Sequence, residues 1–245
     1  METNFPVVKA ERFGVYCALT IKADALCEAA LPGRFLHFRC GEKMLRRPIS
    51  ICDVHAPNIT VVFEVKGEGT QWLAARKPGD VLDVLGPLGH GFPEIPGRVL
   101  VAGGGIGAAP MLLTARRAEI CDAVMGFRSR ERALLVDEFE AVCDTVKWMS
   151  DDGTFGEKGF VASGVAELLG KNDYAAVLAC GPMVMLRTVS EAAEKANVPC
   201  YVSMEQRMGC GIGACLVCSC ATKGGYRRAC KDGPVFDAKE VDWNA

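Results

Sequence analysis

Val99-Leu100-Val101-Ala102-Gly103-Gly104-Gly105-Ile106-Gly107-Ala108-Ala109-Pro110-Met111-Leu112-Leu113 is the stretch on which the architecture turns. A short apolar run of strand character enters a glycine-rich turn, and an apolar helix-forming run leaves it. Gly103, Gly105 and Ala108 fit G-x-G-x-x-G/A in the strand–turn–helix context that this pattern needs. Amides at such a helix N-terminus receive a pyrophosphate, which makes Gly103, Gly104, Gly105, Ile106 and Gly107 a candidate dinucleotide-binding turn. The competing reading is a purely structural strand–helix turn. An acid to hold a ribose at the end of the next strand is missing, because that strand runs into Phe127, Arg128, Ser129 and Arg130. Arg128 and Arg130 suit a 2′-phosphate or are solvated charges, so the pattern leaves the nicotinamide type open.

Downstream the alternation continues. DAVMGFRS is a strand and ALLVDEFEAVC a helix; VKWMSDD, SGVAELLG, AAVLACG and MVMLRTVSEAAEKANV repeat the pair. Strands alternating with helices predict a parallel sheet covered on both faces. Cys180, Gly181 and Pro182 end one of these strands, at the carboxyl edge where ligands of such sheets lie.

Upstream, residues 1–97 read differently. VYCALTI, RFLHFRC, RPISICDV, NITVVFEVK and DVLDVLG are short, rich in β-branched and aromatic residues, and bounded by turn residues. They predict an antiparallel barrel or sandwich, interrupted by one helix at TQWLAARK. On the RPIS strand, Arg47 and Ser50 suit a pyrophosphate and a flavin edge. Gly67-Glu68-Gly69-Thr70 opens the helix and offers amides to a phosphate. Each of these two segments is a weak signal alone.

From Met204 the periodicity is lost. Cys210, Cys215, Cys218 and Cys230 spell C-x4-C-x2-C-x11-C, the plant-type spacing for a [2Fe-2S] cluster. Gly209, Gly211 and Gly213 supply turns and close amides for a loop wrapping such a group. Zinc sites more often show two C-x2-C pairs. Cys220 competes with Cys218 on spacing alone, and the plant-type pattern favours Cys218. Other cysteines, such as Cys17, Cys27, Cys121, Cys143 and Cys200, stand singly in apolar or mixed segments and read as core residues.

Composition fits this picture. The chain has 245 residues, half of them hydrophobic, and a formal net charge of −2, which gives no pull toward nucleic acid or an anionic membrane. No window approaches the roughly 20 apolar residues of a membrane span. Charges occupy the place of a signal-peptide core in METNFPVVKAERFGVY, so cytoplasmic residence is expected.

In this order the motifs resemble the ferredoxin–NADP reductase superfamily. RRPIS, GEGT, GPLGHGF, AGGGIGAAPM, ACGPMVML and MEQRMGCGIGACLVC narrow the likeness to the electron-transfer subunits of class 1B dihydroorotate dehydrogenases. The resemblance implies an antiparallel FAD-binding barrel (1–97), a Rossmann-like NAD-binding α/β domain (98–203) and a C-terminal [2Fe-2S] loop segment (204–245). It implies FAD, NAD and a partner catalytic subunit carrying FMN, in a heterotetramer with two copies of each. Electrons would pass from that FMN through the cluster and FAD to NAD+, in pyrimidine biosynthesis. Carried onto this chain, Arg47, Pro48, Ile49 and Ser50 form the FAD-binding strand. Val62, Phe63 and Glu64 lie along the next flavin strand, and Gly69 and Thr70 contact the pyrophosphate. Glu64 stands where the family often has a basic residue. Gly103–Gly107 and Cys180–Pro182 frame the nicotinamide nucleotide, and Cys210, Cys215, Cys218 and Cys230 hold the cluster. Related flavin and iron–sulfur reductases or diaphorases, some with aspartate in place of a cluster cysteine, and a zinc-binding scaffold are the competing readings.

Overall fold

A computed structural model describes residues 3–245. Six strands close an antiparallel barrel: β1 (Asn4–Phe13), β2 (Tyr16–Lys22), β3 (Phe35–Phe38), β4 (Arg47–His55), β5 (Asn58–Glu64) and β6 (Val81–Leu88), in the order β1-β2-β5-β4-β3-β6. Two helices interrupt it, α1 (Asp24–Cys27) and α2 (Glu68–Ala74). Leu19, Ile21, Leu36, Phe38, Ile51, Ile59, Val61 and Leu82 point inward and are fully buried, as the period of two requires. The sequence reading missed β1. Its NFPVVKAERF carries a proline and three charges, and only Phe5 and Val7 are buried. Pairing with β2 and β6 makes it a strand, where pattern alone does not.

The second part alternates as expected: β7 (Arg98–Gly104), α3 (Ala108–Arg117), β8 (Ile120–Phe127), α4 (Val136–Val142), β9 (Thr145–Ser150), β10 (Glu157–Lys158), α5 (Val161–Leu169), β11 (Ala176–Cys180), α6 (Met183–Lys195) and β12 (Cys200–Ser203). Its strands pair in parallel, in the order β10-β9-β8-β7-β11-β12. One apolar layer joins Met111, Leu112 and Phe139 to one face of the sheet, and another joins Val165, Leu168, Leu186 and Val189 to the other.

The cysteine-rich segment does not stand apart. After a hairpin of β13 (Ser219–Thr222) and β14 (Gly225–Arg228), β15 (Val235–Asp237) pairs antiparallel with β12 and completes a seven-stranded sheet. The sheet therefore takes its last strand from the 204–245 stretch. Cys218, Cys220, Cys230 and Phe236 pack into the same core layer as α5 and α6. Having no periodic apolar face, the segment shares its neighbour's core.

Asp122 on β8 is fully buried, and its Oδ2 accepts from Arg98 (2.8 Å) and from the Tyr174 hydroxyl (2.7 Å). Burying a carboxylate costs several kcal/mol unless such partners meet it. Asp122→Ala strands the buried Tyr174 hydroxyl while Arg98 keeps Asp144 (3.1 Å), and urea denaturation should show a loss of about 1–3 kcal/mol.

Candidate functional site

A cleft of about 490 Å³ opens between barrel and sheet. Pro48, Ile49 and Ser50 form one wall, at the half-buried start of β4 before Ile51, Cys52 and Asp53 turn into the core. Val62, Phe63 and Glu64 at the end of β5 continue it, followed by Thr70 of α2. Opposite lie Gly104, Gly105, Ile106 and Gly107, with Cys180, Gly181 and Pro182. β7 and β11 are adjacent parallel strands with Cys180 opposite Gly103, so both turns emerge at the same carboxyl edge. Ser203, Met204, Glu205 and Gln206, leaving β12, close the end of the cleft.

Three expected residues, Arg47, Gly69 and Gly103, border the cleft beside the lining residues Pro48, Thr70 and Gly104. The Arg47 guanidinium lies against Gly69, where any Cβ would displace it. Gly103 is packed between Met125 and Ala108, and so seats α3 on the sheet. Arg46 is consumed in structure: it donates to both Asp83 carboxylate oxygens (2.9 and 2.8 Å) and to the His37 carbonyl (3.2 Å). Among the described residues Arg47 donates to nearby carbonyls, Leu45 (2.7 Å) and Arg46 (3.3 Å). Thr70 Oγ1 accepts from the amides of Lys66 and Gly67 and fixes the turn into α2. Gly107 is a close approach: a Cβ there would enter the van der Waals surface of the Cys180 carbonyl oxygen.

Glu64 is engaged in ion pairs with Lys66 (2.9 Å) and Arg132 (3.0 Å). Burial raises its pKa, but hydrogen bonds and charge from Lys66 and Arg132 outweigh this and hold the carboxyl below its ordinary value. Burial pushes the Cys180 thiol up to about 12, so it stays protonated in the cleft. Arg128 reaches the cleft, whereas Arg130 lies over the Phe155 ring at 5.9 Å.

The cysteines of the C-terminal loop fall into two pairs. The Cys210 amide donates to Cys215 Sγ (3.4 Å), and the Cys230 amide donates to Cys218 Sγ (3.4 Å). Further amides reach the other two sulfurs: Ile212 (3.5 Å) and Ala214 (3.3 Å) on Cys210, and Gly213 (3.1 Å) on Cys230. Led by Ile212, these donors draw the Cys210 thiol down to about 6, whereas burial pushes Cys230 up to about 12. Among the described residues no three His, Cys, Asp or Glu side chains converge on one point as a single ion requires. Sulfurs held two and two, each pair under amide donors, suit a two-iron group better than a mononuclear zinc. Cys220 lies on β13, and its thiol donates to the Cys218 carbonyl (3.9 Å). Arg228 braces the loop, pairing with Asp232 (2.8 Å) and donating to the Gly213 carbonyl (3.3 Å).

Sequence reasoning missed Tyr16, Arg132, Glu205 and Gln206 as cleft residues, and His37 and Arg228 as neighbours of the cysteine loop. Only Glu205 and Gln206 carried a signal, by standing in the quoted MEQRM segment.

Residues 205–242 match the model of the iron–sulfur cluster binding domain of dihydroorotate dehydrogenase B. The chain is 43% identical over 250 residues to the dihydroorotate dehydrogenase B (NAD(+)) electron transfer subunit of Clostridium acetobutylicum, covering 100% of this chain and 97% of that one. It is 42% identical over 216 residues to the same subunit of Caldanaerobacter subterraneus subsp. tengcongensis, covering 86% of each. Among solved structures, the NADH-dependent reduced ferredoxin–NADP oxidoreductase, studied for flavin-based electron bifurcation, superposes with a TM-score of 0.89 at 31% identity. That superposition covers 98% of this chain and 90% of the other. The ferredoxin reductase of carbazole 1,9a-dioxygenase, at 20% identity and a TM-score of 0.64, shares the fold over 80% of this chain and 66% of its own. With a flavin-reductase fold, paired cysteines at plant-type spacing and relatives this similar over most of its length, the chain belongs to the family of dihydroorotate dehydrogenase B (NAD(+)) electron transfer subunits.

Proposed function

We propose that this chain carries electrons between a partner subunit that oxidises dihydroorotate and NAD+, as part of the pyrimidine biosynthetic enzyme. The observation that carries the reading is the two-and-two pairing of cysteine sulfurs in a loop packed against the barrel that forms the cleft. Cys210 and Cys215 would hold one iron of a [2Fe-2S] cluster and Cys218 and Cys230 the other. FAD would lie along Pro48–Ser50 and Val62–Glu64, its pyrophosphate met by Arg47 and by the turn at Gly69 and Thr70. The nucleotide of NAD would take the Gly104–Gly107 and Cys180–Pro182 side. A flavin exchanges a hydride with nicotinamide and single electrons with a cluster, chemistry that no side chain supplies.

The protein positions and insulates. Gly105 gives the turn its left-handed residue (φ +56°), Gly107 lets it approach the Cys180 carbonyl closely, Glu64 is neutralised by two cations, and the protonated Cys180 adds no charge. None of these residues has to act as acid or base on dihydroorotate. The partner is read as an FMN-bearing catalytic subunit, two copies of each chain assembling together in the cytoplasm. A reducing compartment suits the free thiols of the described structure.

Arg47→Ala removes a charge-assisted contact worth about 1.5–3 kcal/mol. FAD affinity, followed by flavin fluorescence on reconstitution, should weaken by about 10- to 150-fold. The function itself is tested by co-purification and turnover. The partnered protein should reduce NAD+ with dihydroorotate and prefer NADH to NADPH in reverse. A second reading, a ferredoxin- or NADPH-linked reductase, has the 31% identical solved structure in its favour. Recovery of a glutamate-synthase-like partner instead of a dihydroorotate oxidase would establish that reading and sink ours.

A further inference from the structure

His37 stands on β3, fully buried, with neither ring nitrogen in hydrogen-bond geometry with any group among the described residues, although the Arg46 backbone lies beside the ring. Buried polar atoms are satisfied in the great majority of cases, so two orphans on one imidazole call for a partner that is not a side chain. Its surroundings narrow the choice. Nδ1 packs on the Cα of Gly211, the residue after Cys210, and a Cβ there would come to 2.5 Å from it. Gly211 has φ +74°, which places it in the region that favours glycine and gives the loop its inward bend. On the other side, His37 makes an edge contact with Phe35 (centroids 6.4 Å apart), which lines the cleft. The imidazole therefore stands between the cysteine loop and the cleft proposed for FAD. Burial, with the nearby Arg46 charge, lowers its pKa to about 4, so it is neutral at physiological pH with one N–H to donate.

We infer that His37 donates this N–H to the sulfur of the iron–sulfur group held by the loop and thereby tunes the potential at which electrons cross between that group and the flavin. The inference rests on the reading of the four cysteines as cluster ligands. A donor to sulfur favours the more negative, reduced state, and it acts more strongly in a dry interior than in water. Losing it should lower the potential. The backbone amides on Cys210 and Cys230 already act in the same sense, and His37 adds a side chain to that set.

The test uses the full-length chain with its cofactors, in three forms: wild type, His37→Leu and His37→Gln. Optical and EPR-monitored titration should show the cluster's one-electron equilibrium about tenfold less favourable to reduction in the leucine variant, a shift of about 59 mV. The glutamine variant, which keeps a donor, should recover most of it. Labelling with ¹⁵N-histidine should reveal a nitrogen hyperfine coupling in the reduced wild-type cluster that persists in His90→Gln. That variant removes the ring that sits on the Lys231 carbonyl beside Cys230 (2.7 Å), and this arm decides even if a His37 variant fails to fold. A cluster-containing leucine variant with unchanged potential, or a wild type without the coupling, overturns the inference and leaves a buried water as the partner of His37. A wild type that binds no cluster overturns the reading of the cysteines themselves.

Discussion

Cys215→Ser is expected to abolish the broad iron–sulfur absorption while the flavin bands remain, because the loop and the wall proposed for FAD are built from different parts of the chain. Cys215 is the exposed member of the outer pair and carries little packing, so the change tests ligation rather than folding. Outer partners of a metal are alone worth about 10–100-fold in affinity, and loss of a direct ligand should exceed that. NADH oxidation with a small dye should be unchanged, because that route uses FAD alone, whereas transfer to the catalytic partner should fall at least about 100-fold. Loss of flavin and cluster together would contradict the separation of the two sites.

Gly107→Ala should have the second-largest effect. The added methyl meets the Cys180 carbonyl, which belongs to the backbone of β11 and cannot rotate aside. Either the glycine turn or the Cys180–Gly181 turn must retreat, and both line the side of the cleft proposed for the nicotinamide. A displacement near 1 Å is enough to cost about 100-fold in a reaction that depends on alignment. Stopped-flow reduction by NADH should slow by about that factor, with flavin and cluster content unaltered. A normal rate would show that the two turns do not jointly set the hydride geometry.

Much of this was legible in the chain. The glycine turn at 103–107 announced a strand, a turn and a helix because each needs residues the others exclude, and β7 and α3 follow it closely. The cysteine spacing pointed to its metal chemistry because ligand geometry tolerates few spacings. What escaped was decided by distant partners. β1 is charged and depends on β2 and β6 for its pairing, and β15 has three residues and takes its identity from β12. Arg46 and Arg47 are equivalent in sequence, and Asp83, far along the chain, decides which is consumed. His37 lay within a strand correctly read, but periodicity reports only burial and nothing about an unanswered nitrogen.

The pairing of Ser203 with Val235 has a consequence for assembly. It ties off both ends of the cysteine loop on the sheet, so the ends are brought together by strand pairing. Closing a free loop of this length costs on the order of 3 kcal/mol in chain entropy, and here the strand pairing offsets that cost. The sheet thus clamps the loop at its two ends, and the four cysteines are presented from one closed span of chain.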